Sequence, residues 1–220
     1  MVERLKYTSP LGELSWIFID GKGKRNYNDD GDIFSGTISF TAEVGKGIIK
    51  DIEEFYEEHK VKGPKKASMG WYYPYIMDKE NQKIPLEDKD GNVIEDKYEQ
   101  NKDIVCLTFK TGITWPDGKP KVINTYNAQG VKVSLGQTKI GNGSTGCLAG
   151  QMSMYTKGKT EQGVTFYLNS VQIVTLTPFE GGDKFETHKG FEGVDEESGI
   201  PVEEKTEEEV EEKATTKPRL

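Results

Sequence analysis

The chain has 220 residues, of which 34% are hydrophobic and 30% charged, with 29 Lys+Arg against 37 Asp+Glu and a formal charge of −8. No stretch approaches the roughly 20 apolar residues a membrane-spanning helix needs, and Met1 is followed by Val-Glu-Arg rather than an apolar signal core, so a cytoplasmic location is expected. Cys106 and Cys147 sit in apolar, strand-like contexts without metal-type spacing and read as buried free thiols.

Residues 13–20 alternate Leu14, Trp16 and Phe18 against Ser15, Ile17 and Ile19, which predicts a strand with a buried face. Residues 21–32, rich in Gly, Asn, Asp and Lys, predict a loop. A second strand follows at 36–41, with Ile38 and Phe40 on one face. Across 42–60 the period changes. Val44, Ile48, Ile52, Phe55 and Tyr56 recur at helical spacing among acids, predicting an amphipathic helix capped by Thr41 and stopped before Gly63-Pro64. Gly45 and Gly47 weaken its first turns.

A basic run, Lys60 to Lys66, then precedes the aromatic group Trp71-Tyr72-Tyr73-Pro74-Tyr75. Residues 78–103 carry nine acids against five lysines and an Asp90-Gly91 turn, and predict a solvated insertion with a short hairpin. From 104 to 179 the signal is nearly all strand: Ile104–Phe109, Val122–Tyr126, Val131–Leu135, Leu148–Tyr155 and Val164–Leu176. In the last of these, apolar parity slips from even (Val164, Phe166, Leu168) to odd (Val171, Ile173), which predicts a bulge near Asn169-Ser170. This block holds seven lysines and two acids.

Two strands, a helix, an insertion and about five more strands predict a mainly β fold. The leading architecture is an OB-fold-like antiparallel Greek-key barrel with an inserted α-helix and a disordered acidic C-terminal tail. The domain boundaries expected are 1–182 for the barrel and 183–220 for the tail. From Glu180 onward there are 14 acids and 6 bases, so residues 180–220 alone carry −8. Subtracting these leaves residues 1–179 with 23 bases and 23 acids, a neutral body. A neutral body joined to a polyanion suggests a protein that handles another polyanion.

Catalysis has few visible parts. His59 ends an acidic helix, His188 lies in the tail, and neither has a neighbouring nucleophile. No zinc ligand set or calcium loop is present, the 141–146 glycine run lacks the lysine of a phosphate loop, and no cofactor is expected. Binding has more support. Gripping a single nucleic-acid strand needs cations for the phosphates and aromatic faces for unpaired bases. The sequence interleaves them: Lys110 with Trp115, Lys121 with Tyr126, Tyr155 with Lys157 and Lys159, and the Lys60–Lys66 run with Trp71 and Tyr73. Core packing is expected instead for Trp16, Phe18, Phe40, Phe109 and Phe166, which sit in register with aliphatics. Single-stranded RNA and a structural β-protein remain alternatives at this point.

Several motifs occur together in order: Tyr7-Thr8-Ser9-Pro10-Leu11-Gly12, Phe109-Lys110, Ile140-Gly141-Asn142-Gly143-Ser144 with Tyr155 eleven residues on, and Leu168-Asn169-Ser170-Val171 leading to Phe179-Glu180-Gly181-Gly182. In this the chain resembles the single-stranded DNA-binding proteins of T7-type bacteriophages. The resemblance implies an OB-fold with an inserted helix and single-stranded DNA binding in phage replication and recombination. It also implies an acidic tail that competes with DNA and docks on the phage DNA polymerase and helicase-primase, and it allows a homodimer. The DNA contacts it carries over are Lys110 and Tyr155, with Trp115 beside them. Ser35 stands where the family has an arginine, and Lys22, Lys24 or Arg25 of the preceding loop are the substitutes. The family tail ends in an aromatic residue, whereas this chain ends Lys217-Pro218-Arg219-Leu220.

Overall fold

The computed structural model describes residues 4–26 and 31–179. The acidic tail predicted at 183–220 lies outside the described residues. In chain order the elements are β1 (Arg4–Thr8), β2 (Gly12–Phe18), β3 (Lys24–Arg25), β4 (Asp32–Thr41), α1 (Ala42–His59), β5 (Lys65–Lys66) and β6 (Trp71–Tyr72). There follow β7 (Pro85–Glu87), β8 (Val93–Tyr98), β9 (Ile104–Gly112), β10 (Asn124–Tyr126), β11 (Lys132–Val133), β12 (Ser144–Lys157) and β13 (Glu161–Thr175).

Five strands close a ring in the order β2, β4, β9, β13, β12 and back to β2. Four of those pairings are antiparallel, as expected for a Greek-key barrel. The fifth, β9 with β13, is parallel and reduces to one residue pair, Phe109 opposite Phe166. Both side chains are fully buried, their ring centroids lie 5.0 Å apart, and Tyr7 from β1 stacks on Phe166 at 5.1 Å. Burying each ring stabilises the fold by about 1.5–3 kcal/mol. Desolvation, with the nearby Asp51 charge adding to it, pushes the Tyr7 phenol up to about 12.

The seam on either side of that pair is filled by the chain from 65 to 72. Its first half runs parallel to β13, with Lys65 opposite Glu161, and its second half antiparallel to β9, with Trp71 opposite Leu107. Val164 N–H donates to Ser68 O (3.1 Å) and Thr108 N–H donates to Gly70 O (3.2 Å), so this segment stitches the two strands together. Gly70 makes the crossing possible: its φ is +75°, and a Cβ there would stand 2.8 Å from the Phe166 ring.

Three of the resemblance motifs hold structural features. Ser9, almost fully buried, exchanges hydrogen bonds with Leu148 through its backbone N–H (2.9 Å, donating) and its Oγ (3.0 Å, accepting). Ser144 Oγ donates to Gly141 O (2.8 Å) and accepts from Thr177 N–H (3.0 Å), fixing the 141–144 turn. The predicted bulge is present: Ala149 faces Ser170 and Gly150 faces Leu168, leaving Asn169 as the extra residue. The insertion hairpin is β7–β8, turned by Asp88, whose Oδ1 accepts from the Asp90 and Asn92 backbone N–H groups (both 2.9 Å).

Two sequence expectations about the core are corrected. Trp16 was assigned to the core by alternation, but it is 61% exposed. The β2–β4 register breaks between Ser15 and Phe18, Trp16 adopts φ +53°, and the bulge turns its indole outward. Phe18 is half-buried, with the Lys24 ammonium 5.4 Å from its ring centroid. On α1, Val44 was placed on the buried face and is instead exposed, because Gly45 is the residue that meets β9. Thr41 does occupy the N-cap position, without a side-chain capping bond. No helix among the described residues is long and apolar enough to cross a membrane.

The two helix glycines therefore predict opposite outcomes. Gly47→Ala meets open space and should raise stability by about 1 kcal/mol through helix propensity. A Cβ at Gly45 would lie 2.3 Å from Val105 Cγ2 and 2.6 Å from its Cβ, so Gly45→Ala should lose about 1–3 kcal/mol from overpacking, partly offset by the same propensity gain. Urea midpoints of the two variants check this; equal shifts would contradict the packing account.

Candidate nucleic-acid interface

Because β9 and β13 touch at one pair and then diverge, a groove of about 510 Å³ opens on the outer surface of the barrel over the seam. One wall is β9, with Thr108, Lys110 and Gly112; the other is β12 and β13, with Tyr155, Thr165 and Tyr167. Trp71 and Tyr72 from the stitching segment close one side, and Asn26 and Ile33 border the opposite one.

Each aromatic ring is positioned by a local device. Tyr155 is paired across the hairpin with Gly163, and a Cβ on that glycine would stand 2.8 Å from the ring. The missing side chain lets the ring lie against the neighbouring strand. Burial raises the Tyr155 phenol above its ordinary range, partly opposed by a hydrogen bond from the Ser68 backbone. Tyr72 is 41% exposed while its hydroxyl reaches Thr37 and Thr108 on the sheet. Desolvation, with the Cys106 thiol adding to it, raises its pKa too. A group whose folded-state pKa is raised stays protonated through neutral pH, so neither ring brings a negative charge to the groove. Trp71 meets Tyr73 edge to face at 5.4 Å, and Tyr73 itself does not line the groove.

The structure brings Lys110, Tyr155 and Trp71 together in this groove, and the other sequence-predicted residues do not line it. Arg25 lies next to the groove residue Asn26 and forms an ion pair with Asp32 (3.6 Å). Lys22 is exposed in the turn before it. Lys157 and Lys159 are exposed at the β12–β13 turn, beyond Tyr155. Trp115 is 53% exposed on the loop after β9, with the Lys121 ammonium 4.6 Å from its ring centroid. Lys121 Nζ also donates to Thr111 Oγ1 (2.7 Å), and desolvation, then the Arg4 charge, lowers its pKa. Tyr126 is half-buried on β10 opposite Gln172 and does not line the groove. Cys106 and Cys147 are free thiols, buried and half-buried, with burial raising both pKa values.

Sequence reasoning missed Tyr167, whose ring carries the Arg4 guanidinium at 5.2 Å. The signal was present: the even residues of β13 read as buried, so Thr165 and Tyr167 had to face outward. Ser35, noted as replacing an arginine, is 1% exposed on β4 opposite Lys110 and cannot act as a cation's stand-in at the surface.

No family model matches the chain, and no curated protein sequence matches it either. Among solved structures it is similar to gp2.5, a single-stranded DNA-binding protein encoded by bacteriophage T7, at TM-score 0.52 and 17% identity, over 86% of this chain and 98% of that one. This chain has the gp2.5 fold. The single-stranded DNA-binding protein from bacteriophage Enc34 also matches, at TM-score 0.45 and 13% identity, over 81% of this chain and 86% of that one. The order of the sequence motifs, which pointed to phage proteins of this kind, is therefore borne out in the fold, while identity stays low.

Ser35 Oγ is buried without a hydrogen-bond partner among the described residues. An unpaired buried hydroxyl costs about 1–3 kcal/mol, so Ser35→Ala should stabilise the protein by about 1 kcal/mol. A thermal or urea unfolding series checks it; destabilisation would show that the hydroxyl is paired in solution.

Proposed function

We propose that this chain is a sequence-tolerant, non-catalytic single-stranded DNA-binding protein acting in phage DNA replication and recombination. The observation that carries the proposal is the convergence of Tyr155, Trp71, Tyr72 and Lys110 on one groove over the β9–β13 seam. Aromatic faces accept any base, because every base has a π-face, and a stacked base is worth about 1–3 kcal/mol. Five-stranded OB barrels bind oligonucleotides on the face of their second and third strands, here β4 and β9, and the groove borders that face through β9 and Ile33 of β4. Lys110 supplies a phosphate contact from the groove wall. In this reading Lys22 and Arg25 between β2 and β4, and Lys157 and Lys159 at the β12–β13 turn, extend the cationic field, and Trp115 extends the row of rings. The fold shared with gp2.5 supports this reading.

Within the same proposal, the acidic residues of 183–220 compete with DNA for these cations and recruit replication partners, the phage polymerase and helicase-primase being those the resemblance implies. Residues 180–220 carry a charge equal to that of the whole chain, so their removal leaves a neutral body.

Titration with a fluorescent oligodeoxythymidylate at two salt concentrations tests the proposal. Tyr155→Ala should weaken binding by about 1–3 kcal/mol at both salts. Lys110→Ala should reduce the salt slope by about 0.7, the share of one phosphate on a single strand. Deleting 192–220 should tighten binding, most clearly at low salt. No salt-dependent binding by the intact chain would reject the proposal and favour a structural β-protein. Matched RNA competing as well as DNA would reassign the substrate.

A further inference from the structure

Trp16 is an anomaly with a built support. A bulky residue at φ +53° is strained by of order 1–3 kcal/mol. The strain is held in place by Asn142, whose Oδ1 accepts from the Trp16 backbone N–H (2.9 Å). The result is an indole 61% exposed on the barrel surface, outside the groove described above.

The next residue, Ile17, lines a second cavity of about 450 Å³ between β2, β4 and the chain from 121 to 140. Its floor is aliphatic, with Ile19, Ile123 and Leu135, and three lysines border it, Lys121, Lys132 and Lys139, against one acid, Asp20. Lys132 and Lys139 are exposed. Trp16 itself does not line this cavity, but its neighbour Ile17 does, so adjacent residues carry the two ingredients a single strand requires, an open aromatic face and a set of cations. One hydrogen bond and one loop link the cavity to the first groove. Thr111 lines that groove, and its Oγ1 accepts from Lys121, which lines the second cavity. The loop after β2 spans both, with Gly21 at the cavity and Asn26 at the groove.

We propose that Trp16 and the Lys121–Lys132–Lys139 cavity form a second contact for the same nucleic-acid strand, in which the indole stacks a base and the lysines take phosphates as the strand leaves the β9 groove past Trp115. This rests on the reading of the groove as a single-strand site. The aliphatic floor offers a dry surface to a sugar or base edge, and the cations around it exclude a purely apolar ligand.

The test compares full-length protein with Trp16→Gly and with Lys132→Gln/Lys139→Gln, using oligodeoxythymidylates of about 6 and about 20 nucleotides, one within and one beyond the roughly 4–16 nucleotides one OB barrel covers. Glycine suits the left-handed backbone at 16, so that variant removes the indole without adding strain. The longer strand should bind each variant roughly tenfold more weakly, and the lysine variant should lose about 1.4 from the salt slope, two phosphates' worth. The shorter strand should bind all forms alike. Equal effects on both lengths, or none on the longer, would overturn the second contact while leaving the groove intact. Failure of the unmodified chain to bind either strand would instead remove the groove reading beneath it. A polyglutamate peptide that binds the intact chain and loses its affinity in the lysine variant, with the long strand unaffected, would overturn the proposal in favour of an acidic protein partner.

Discussion

The Phe109–Phe166 contact is the constraint on which this molecule depends. A five-stranded ring can close only if its third and last strands meet, and here they meet at one pair of fully buried rings backed by Tyr7. So short a closure leaves the strands free to diverge. The divergence is what opens a groove on the outside, and it leaves a gap that the 65–72 segment must fill. Filling it with that segment delivers Trp71 and Tyr72 to the groove wall. Core packing and site geometry are therefore consequences of a single seam.

The site is richer in rings than in charges. Lys110 is the ammonium group in the groove, while Lys121 is engaged by Thr111 and the Trp115 ring and Arg25 by Asp32. Lys60 and Lys66 pair with the α1 acids Glu57 and Glu53. In the binding proposed here, stacking supplies a part of the grip that salt does not screen, and the cations supply the salt-dependent part.

Much of this was legible in the sequence because alternation and helical period report burial directly. The ring strands, α1, the Asp88–Asn92 turn and the Asn169 bulge follow from pattern alone, and Lys110 and Tyr155 from interleaving and motif. Where pattern failed, a local backbone event had intervened. A bulge reversed the parity at Trp16, and the close approach of Val105 gave the buried place on α1 to Gly45 rather than Val44. The 65–72 segment carries no periodic signal, since it pairs with two different strands over two or three residues each. Its role appears only in three dimensions, as does the closeness of residues 70–72, 110, 155 and 167, which spacing along the chain cannot reveal.

Amide chemical-shift mapping during titration with a short oligodeoxythymidylate tests the central claim most directly. The account predicts that the largest shifts fall on both sides of the seam at once, at Gly70–Tyr72, Lys110–Gly112, Tyr155 and Thr165–Tyr167. Shifts confined to α1 or to the β7–β8 hairpin, with those seam residues unmoved, would contradict it.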